Sequence, residues 1–121
     1  MEFVVTSDGS KTLYHSGIGD HYHSMHGAVQ ESRHVFLQAG LCHLLNNKDI
    51  DPVTVLEVGF GTGLNFLLSA NHCLQYGIGL HYTGVEAFPL PHEIIVQTGY
   101  IRYVTPTLWS SFSDRYVDCL T

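Results

Sequence analysis

The spacing of apolar residues changes along the chain, and it predicts which segments form strands and which form helices. Residues 3–15, FVVTSDGSKTLYH, place two short β-prone runs around Asp8-Gly9. This dipeptide favours a tight hairpin turn in which both central residues take positive φ. From residue 27 to about residue 46, apolar side chains recur at helical spacing and predict a helix with one buried stripe.

The second half of the chain predicts a strand, a helix and another strand. Residues 53–59, VTVLEVG, form a β-rich run suited to a strand buried on both faces. A helix is predicted from about Gly63 to Tyr76, with Gly77 placed to cap it, and residues 80–88, LHYTGVEAF, supply the second strand. This order indicates a βαβ unit with parallel strands. Another helix is predicted to begin within residues 89–103, and the secondary structure of the residues that follow is ambiguous.

Composition narrows the class of protein. The chain has 121 residues, of which 45% are hydrophobic and 13% charged, as expected for one folded domain. Its net charge of −6 is a poor basis for binding nucleic acid by charge alone. We find no membrane-spanning run and no signal-peptide pattern, and three cysteines without metal spacing suit a reducing compartment. A cytoplasmic protein is predicted.

Three closely spaced histidines raise the question of a metal site. His21, His23 and His26 could converge on zinc if their loop wrapped around the ion. Asp20 is the one further ligand type beside them, and a short histidine tract is only a compositional hint. No metal site is predicted.

The sequence LEVGFGTGLNF, residues 56–66, carries glycines at three alternate positions. A phosphate-binding P-loop would end in Gly-Lys-Ser/Thr, and this loop ends GTGLN. A dinucleotide fingerprint needs glycines at its first, third and sixth positions, but the sixth position counted from Gly59 is Leu64. An NAD-binding oxidoreductase fragment is therefore a weaker alternative.

The pattern acidic-x-Gly-x-Gly-x-Gly resembles the first motif of class I S-adenosylmethionine-dependent methyltransferases. The resemblance implies that the loop curls under the methionine part of that cofactor, with contacts from Glu57, Gly59, Gly61, Gly63 and Asn65. Glu86, at the end of the second predicted strand, can accept hydrogen bonds from ribose hydroxyls. The alternative is that the glycines serve only a tight turn and that both glutamates are ordinary strand-end carboxylates.

Three blocks together, HYHSMHGAVQESRHVF, VLEVGFGTGLNF and VEAFPL, resemble the methyltransferase domain of the bacterial tRNA-modifying MnmC family. In that family this domain methylates 5-aminomethyl-2-thiouridine at the wobble position of tRNA. The resemblance implies cofactor contacts from Tyr22 and Ser24, and contacts with the tRNA substrate from Glu31 and Arg33. Otherwise Glu31 and Arg33 are solvated helix residues and Tyr22 packs on the hairpin.

The resemblance also sets expectations for the fold. It implies an α/β, partial Rossmann-like methyltransferase fold, with a hairpin, loop and helix extension in residues 1–52 and a cofactor-binding βαβ unit in residues 53–121. Ala87 stands where the family has a lysine, and the later strands of the family are not found. We therefore expect the N-terminal half of the domain, with an incomplete sheet whose exposed edge permits self-association.

The sequence identifies no catalytic residue, and the chain alone is expected to be inactive. A non-catalytic module that binds a nucleoside is the main alternative to a methyltransferase. The flavin-dependent oxidoreductase domain that often accompanies the family has no counterpart in this sequence.

Overall fold

A computed structural model describes residues 2–15, 20–22, 27–47 and 51–119. The first part is an antiparallel sheet of three strands in the order β1-β2-β3. Its strands are β1 (Glu2–Val5), β2 (Lys11–His15) and β3 (Asp20–His21). β1 and β2 pair from Glu2↔Tyr14 to Val5↔Lys11, which confirms the predicted hairpin.

The turn of this hairpin differs from the one predicted. Residues 6–10 connect the strands, and among the described residues only glycines have positive φ; Gly9 is at 85°. Asp8 therefore does not take the left-handed conformation that a two-residue turn requires. Its carboxylate instead accepts hydrogen bonds from the backbone N–H of Ser10 at 3.0 Å and from the Ser10 hydroxyl. In this longer turn, the Asp8 side chain can accept hydrogen bonds from other residues of the turn.

The predicted helix over residues 27–46 is confirmed, and its winding is not uniform. It begins as α1 (Ala28–Glu31), continues as a π-helix (Ser32–Cys42) and ends as α2 (His43–Asn47). Val29 and Leu41 on this segment are buried. Leu41 packs in a cluster with Val53 and Cys73, so the helix lies against the second half of the chain.

Side chains of the hairpin turn cap the start of this helix. The first turn of a helix has backbone N–H groups without partners inside the helix. Here the N–H of Ala28 donates to Thr6 Oγ1 at 3.1 Å, that of Val29 to Ser10 Oγ at 3.0 Å, and that of Gln30 to Asp8 Oδ2 at 2.9 Å. Thus a turn about twenty residues upstream supplies the cap that α1 itself lacks.

The second half of the described chain forms the predicted βαβ unit. β4 (Val53–Val58) and β5 (Leu80–Val85) are parallel, with a register from Val53↔Leu80 to Val58↔Val85. α3 (Leu64–Gln75) connects them, and Gly77 follows it at φ 66°. The chain continues through α4 (His92–Val96), a 3₁₀ turn (Tyr100–Tyr103) and α5 (Pro106–Cys119). None of the helices in the described residues is long and apolar enough to cross a membrane.

One core cluster joins the hairpin, the helices and the last segment. Its buried members come from five helices or strands and their connections: Leu13, Ala28, Val29, Leu64, Leu67, Leu68, Leu90, Ile95, Tyr100, Phe112 and Tyr116. Because Leu13 lies in β2 and Phe112 in α5, the hairpin and α5 belong to the same core cluster as α3.

The prediction that β4 is buried on both faces is wrong. Val53 and Glu57 are buried on the face that packs on the helices, whereas Leu56 and Val58 are 67% and 81% exposed on the other face. Val85 of β5 is also exposed. In the described part of the chain, the helices pack on one side of this two-stranded sheet. The continuous apolar run of β4 therefore predicted burial on both faces, although one face is exposed to solvent.

The Asp8 cap gives stability a dependence on pH. Burial acts to raise the pKa of Asp8, but hydrogen bonds from Ser10, the Gln30 backbone and Thr6 outweigh it and lower the pKa from 3.8 to about 2. A carboxyl whose pKa falls on folding stabilises the protein above its unfolded pKa. That stabilisation is lost as pH falls from about 4 to about 2.

Asp8→Asn replaces one of the two accepting carboxylate oxygens by an amide that cannot accept, so it should lower the free energy of unfolding at neutral pH by ~0.5–1.5 kcal/mol, the usual net value of one hydrogen bond. The difference from the parent protein should shrink below pH 4 in urea unfolding followed by circular dichroism. Asp114→Asn, at an exposed position of α5, is the control. An Asp8→Asn deficit that stayed constant down to pH 2 would contradict the capping role.

Self-association through the exposed edge of the sheet remains a prediction, and the exposed apolar residues on the outer face of β4 add to the surface that could associate. Val58→Lys places a charge on that face and should lower the apparent mass measured by light scattering at high protein concentration. Val35→Lys, at a π-helix residue that is 61% exposed, should leave the mass unchanged. A parent protein that stays monomeric at all concentrations would refute the prediction.

Candidate functional site

The glycine loop, residues 59–63, joins the end of β4 to the start of α3, as predicted. Gly59, Gly61 and Gly63 have φ of 84°, 58° and 83°, in the left-handed region that side chains disfavour. A Cβ at Gly61 would lie 3.1 Å from Cδ2 of Tyr22, and a Cβ at Gly63 would lie 3.0 Å from Cζ of Phe112. Both the conformation and the space at these two positions require glycine.

Glu86 lies directly against this loop. The backbone N–H of Gly61 donates to Glu86 Oε1 at 2.9 Å, and the N–H of Phe88 lies 3.3 Å from Oε2. The backbone N–H groups of Gly59 and Phe60 also donate to the carbonyl of Val85, the last residue of β5. The two site elements predicted from separate strands thus meet at the carboxyl ends of β4 and β5.

Tyr22 also reaches the glycine loop, as its place in the predicted site requires. Its backbone N–H donates to the carbonyl of Leu13 at 2.9 Å, which fixes the residue beside β2. Its ring packs close to Gly61. Burial raises the pKa of the Tyr22 hydroxyl, and the negative charge of Glu86 raises it further, so the hydroxyl stays protonated at neutral pH.

Glu57 and Asn65, both predicted to contact a cofactor, contact each other. Glu57 is 8% exposed; its Oε2 accepts from Asn65 Nδ2 at 2.8 Å and its Oε1 from the Tyr82 hydroxyl at 2.8 Å. Burial, followed by the hydrogen bond and charge of Glu57, raises the pKa of Tyr82. The sequence did not identify Tyr82 as a site residue. The feature that could have identified it is its position two residues before Gly84, the residue that pairs with Glu57.

A cavity of about 580 Å³ opens beside the glycine loop. Gly61 and Glu86 form one end, and Arg115 of α5 lies in the wall. Five aromatic residues also line it: Phe60, Phe66, Tyr82, Phe112 and Tyr116. Phe66 packs edge-on against Tyr82 with ring centroids 5.1 Å apart. An apolar, aromatic cavity with few polar groups at one end is suited to a flat organic ligand.

Arg33 and Glu31, predicted to contact the substrate, lie in the helical segment instead of this cavity. Arg33 is exposed and lines a second cavity, of about 450 Å³, together with Asp8, Gln30, His34, Gln38 and Tyr103. Glu31 is the last residue of α1 and is half-buried. The structure therefore brings Tyr22, Glu86 and the glycine loop together and leaves Arg33 on a separate surface.

Some of the predicted residues lie outside the described part of the chain. These are Ser24, His23 and His26; Asp20 and His21 belong to β3, but their side chains are not described. Within the described residues, no group of three or more His, Cys, Asp or Glu could hold a metal ion. Cys42, Cys73 and Cys119 are free thiols.

No family model matches the chain. Three relatives share the name tRNA 5-methylaminomethyl-2-thiouridine biosynthesis bifunctional protein MnmC. The protein from Methylobacillus flagellatus is 39% identical over 83 residues, or 65% of this chain and 13% of its own. That from Leptospira interrogans is 39% identical over 105 residues, or 84% and 16%. That from Aeromonas salmonicida is 38% identical over 85 residues, or 64% and 13%.

A solved structure supports the same relationship. MnmC2 from Aquifex aeolicus superposes with a TM-score of 0.62 and 29% sequence identity, over 87% of this chain and 37% of that one. The fold and site define an α/β protein with a glycine-rich strand-to-helix loop. The chain is a member of the MnmC family, and it spans less than a fifth of the length of the three sequence relatives.

Proposed function

We propose that this chain binds S-adenosylmethionine at the glycine loop. We further propose that it belongs to a methyltransferase acting on the aminomethyl nitrogen of a modified wobble uridine in tRNA. The observation that carries this proposal is the convergence of the loop and Glu86, joined by the hydrogen bond from the N–H of Gly61. The names of the relatives, which specify biosynthesis of a modified tRNA uridine, support the choice of substrate.

The described residues fit such a cofactor. Glu86 accepts one hydrogen bond on each carboxylate oxygen, which leaves lone pairs for two ribose hydroxyls. The neighbouring aromatic cavity accommodates the flat base, and Gly59 has open space above its Cα for the methionine part. Tyr22 packs on Gly61 at the edge of this site, and its protonated hydroxyl serves as a donor.

The bound cofactor supplies a methyl group that its sulfonium has already activated. The work of the protein is to align the reacting groups and to exclude water. An alkyl amine is mostly protonated at neutral pH and must lose a proton before it attacks the methyl group. Among the described residues near the loop, the Glu86 carboxylate has lone pairs left for a ligand, and we assign these to the ribose. We therefore assign no catalytic base.

The domain organisation belongs to the same proposal. We propose a partial Rossmann-like methyltransferase fold, with residues 53–121 holding the cofactor and residues 1–52 as an extension that brings Tyr22 to the loop. Ser24 joins Tyr22 as a cofactor contact in this proposal, and Glu31 and Arg33 contact tRNA. Arg33 suits a phosphate contact because it is exposed and its guanidinium can donate to two phosphate oxygens at once. A protein acting on tRNA in this way would be cytoplasmic.

Cofactor binding can be tested by calorimetry with S-adenosylhomocysteine, the demethylated product. Glu86→Ala should weaken binding by ~1–3 kcal/mol, because hydroxyls that it bonds are left without a partner. Gly61→Val should abolish binding, because the valine side chain would meet Tyr22 and a valine backbone disfavours the φ of 58° at this position. Glu93→Ala, on an exposed position of α4, is the control. Equal affinity in Glu86→Ala and the parent protein would refute the ribose assignment.

Activity needs a separate test, because a module that only binds the nucleoside would pass the binding test. The assay measures transfer of labelled methyl groups to undermethylated tRNA. We predict no turnover by the chain alone, because a net charge of −6 with five basic residues gives little affinity for phosphates. Turnover above that of Gly61→Val would contradict this prediction and would establish the chemistry directly.

A further inference from the structure

A hydrogen bond closes the base of the glycine loop. Glu57 is the last residue but one of β4, and Asn65 is the second residue of α3. Asn65 Nδ2 donates to Glu57 Oε2 at 2.8 Å, so the residues between them form a closed segment that includes all three glycines of the loop. This bond therefore joins the strand before the loop to the helix after it.

The neighbouring strand holds this closure in place. Tyr82 of β5 donates its hydroxyl to the other oxygen of Glu57 at 2.8 Å. The backbone register places Tyr82 opposite Val55 and Gly84 opposite Glu57, so the tyrosine comes from the adjacent position on the same face. A carboxylate that is 8% exposed needs such donors, because burying it without partners costs several kcal/mol.

The loop needs a constraint from outside because its own glycine residues restrict its backbone conformation very little. Glycine has the widest conformational freedom of any residue, and three glycines alternate here at positive φ. A hydrogen bond across the ends of a loop reduces the number of conformations open to it. A loop already held in its binding conformation loses less entropy when a ligand binds.

We propose that Tyr82 is a positioning residue: through Glu57 and Asn65 it holds the glycine loop in the conformation that binds a ligand. Glu57 and Asn65 then act by closing the loop: Asn65 Nδ2 bonds one carboxylate oxygen of Glu57, and Tyr82 bonds the other. The effect on the loop is independent of the ligand. Only the effect on S-adenosylmethionine affinity rests on the function proposed above.

The first test measures amide hydrogen exchange in the 121-residue chain without ligand. Tyr82→Phe removes one oxygen atom and keeps the ring that packs on Phe66. Exchange at the Gly61 and Gly63 amides should become about tenfold faster, as expected when a hydrogen bond to a charged group is lost. Tyr76→Phe, just after the far end of α3, is 62% exposed and should leave loop exchange unchanged.

A role confined to general stability would raise exchange throughout the core. The proposal therefore requires that the amides of Ala70 and Cys73, buried residues further along α3, keep their protection in Tyr82→Phe while the loop amides lose theirs. Tyr82→Phe and Glu57→Gln should also be non-additive, since both act through one carboxylate. If Tyr82→Phe fails to fold, Asn65→Ala opens the closure while it leaves the Tyr82–Glu57 bond intact, and the same loop effect is expected.

Unchanged loop exchange in a folded Tyr82→Phe or Asn65→Ala protein would overturn the proposal. A second arm titrates S-adenosylhomocysteine, and Tyr82→Phe should weaken its binding about tenfold if the hydrogen bond to Glu57 is worth its usual amount. If the parent protein does not bind this probe but Tyr82→Phe still loosens the loop, the cofactor proposal fails and the positioning role stands. If the probe binds both proteins equally, the positioning role is overturned and the cofactor proposal stands.

Discussion

The left-handed backbone of the glycine loop is the constraint on which the candidate site depends. Positive φ at Gly59, Gly61 and Gly63 turns the chain from β4 directly into α3, and the first N–H groups of the loop face the end of β5. Gly61 can then donate to Glu86, and Phe60 can fill the space over Gly84, where a Cβ would lie 2.2 Å from the ring. A side chain at Gly61 would have to displace the ring of Tyr22, and one at Gly63 the rings of Phe60 and Phe112.

Contacts from outside the loop determine how it is presented. Tyr22 packs on Gly61 from the hairpin side, and Phe112 of α5 packs on Gly63 from the other. Tyr22 is beside β2 because its backbone bonds to Leu13, and Leu13 belongs to the same core cluster as Phe112. The hairpin therefore contributes to the candidate site: its backbone bond to Tyr22 holds an aromatic ring beside the loop.

The hairpin is attached to the helical segment by polar contacts as well as by the core. Thr6, Asp8 and Ser10 bond three successive N–H groups at the start of α1. Gly27 is needed there because a Cβ would lie 2.8 Å from Asp8 Oδ2. Buried hydrogen bonds of this kind specify a single arrangement, since a shifted hairpin would leave both its hydroxyls and the helix N–H groups without partners.

The sequence by itself determined the hairpin, the first helix and the βαβ unit, the place of the glycine loop and the membership of the MnmC family. These features follow from apolar spacing, from glycine at fixed positions and from contiguous residue blocks, all of which are local. Only the tertiary structure decided that Glu57 bonds Asn65 and Tyr82, that Asp8 caps a distant helix and that β4 is covered on one face. Each of these contacts depends on residues that are far apart in the chain. The sequence shows that a carboxylate or an apolar side chain is present, but it does not show whether the fold brings a partner to it.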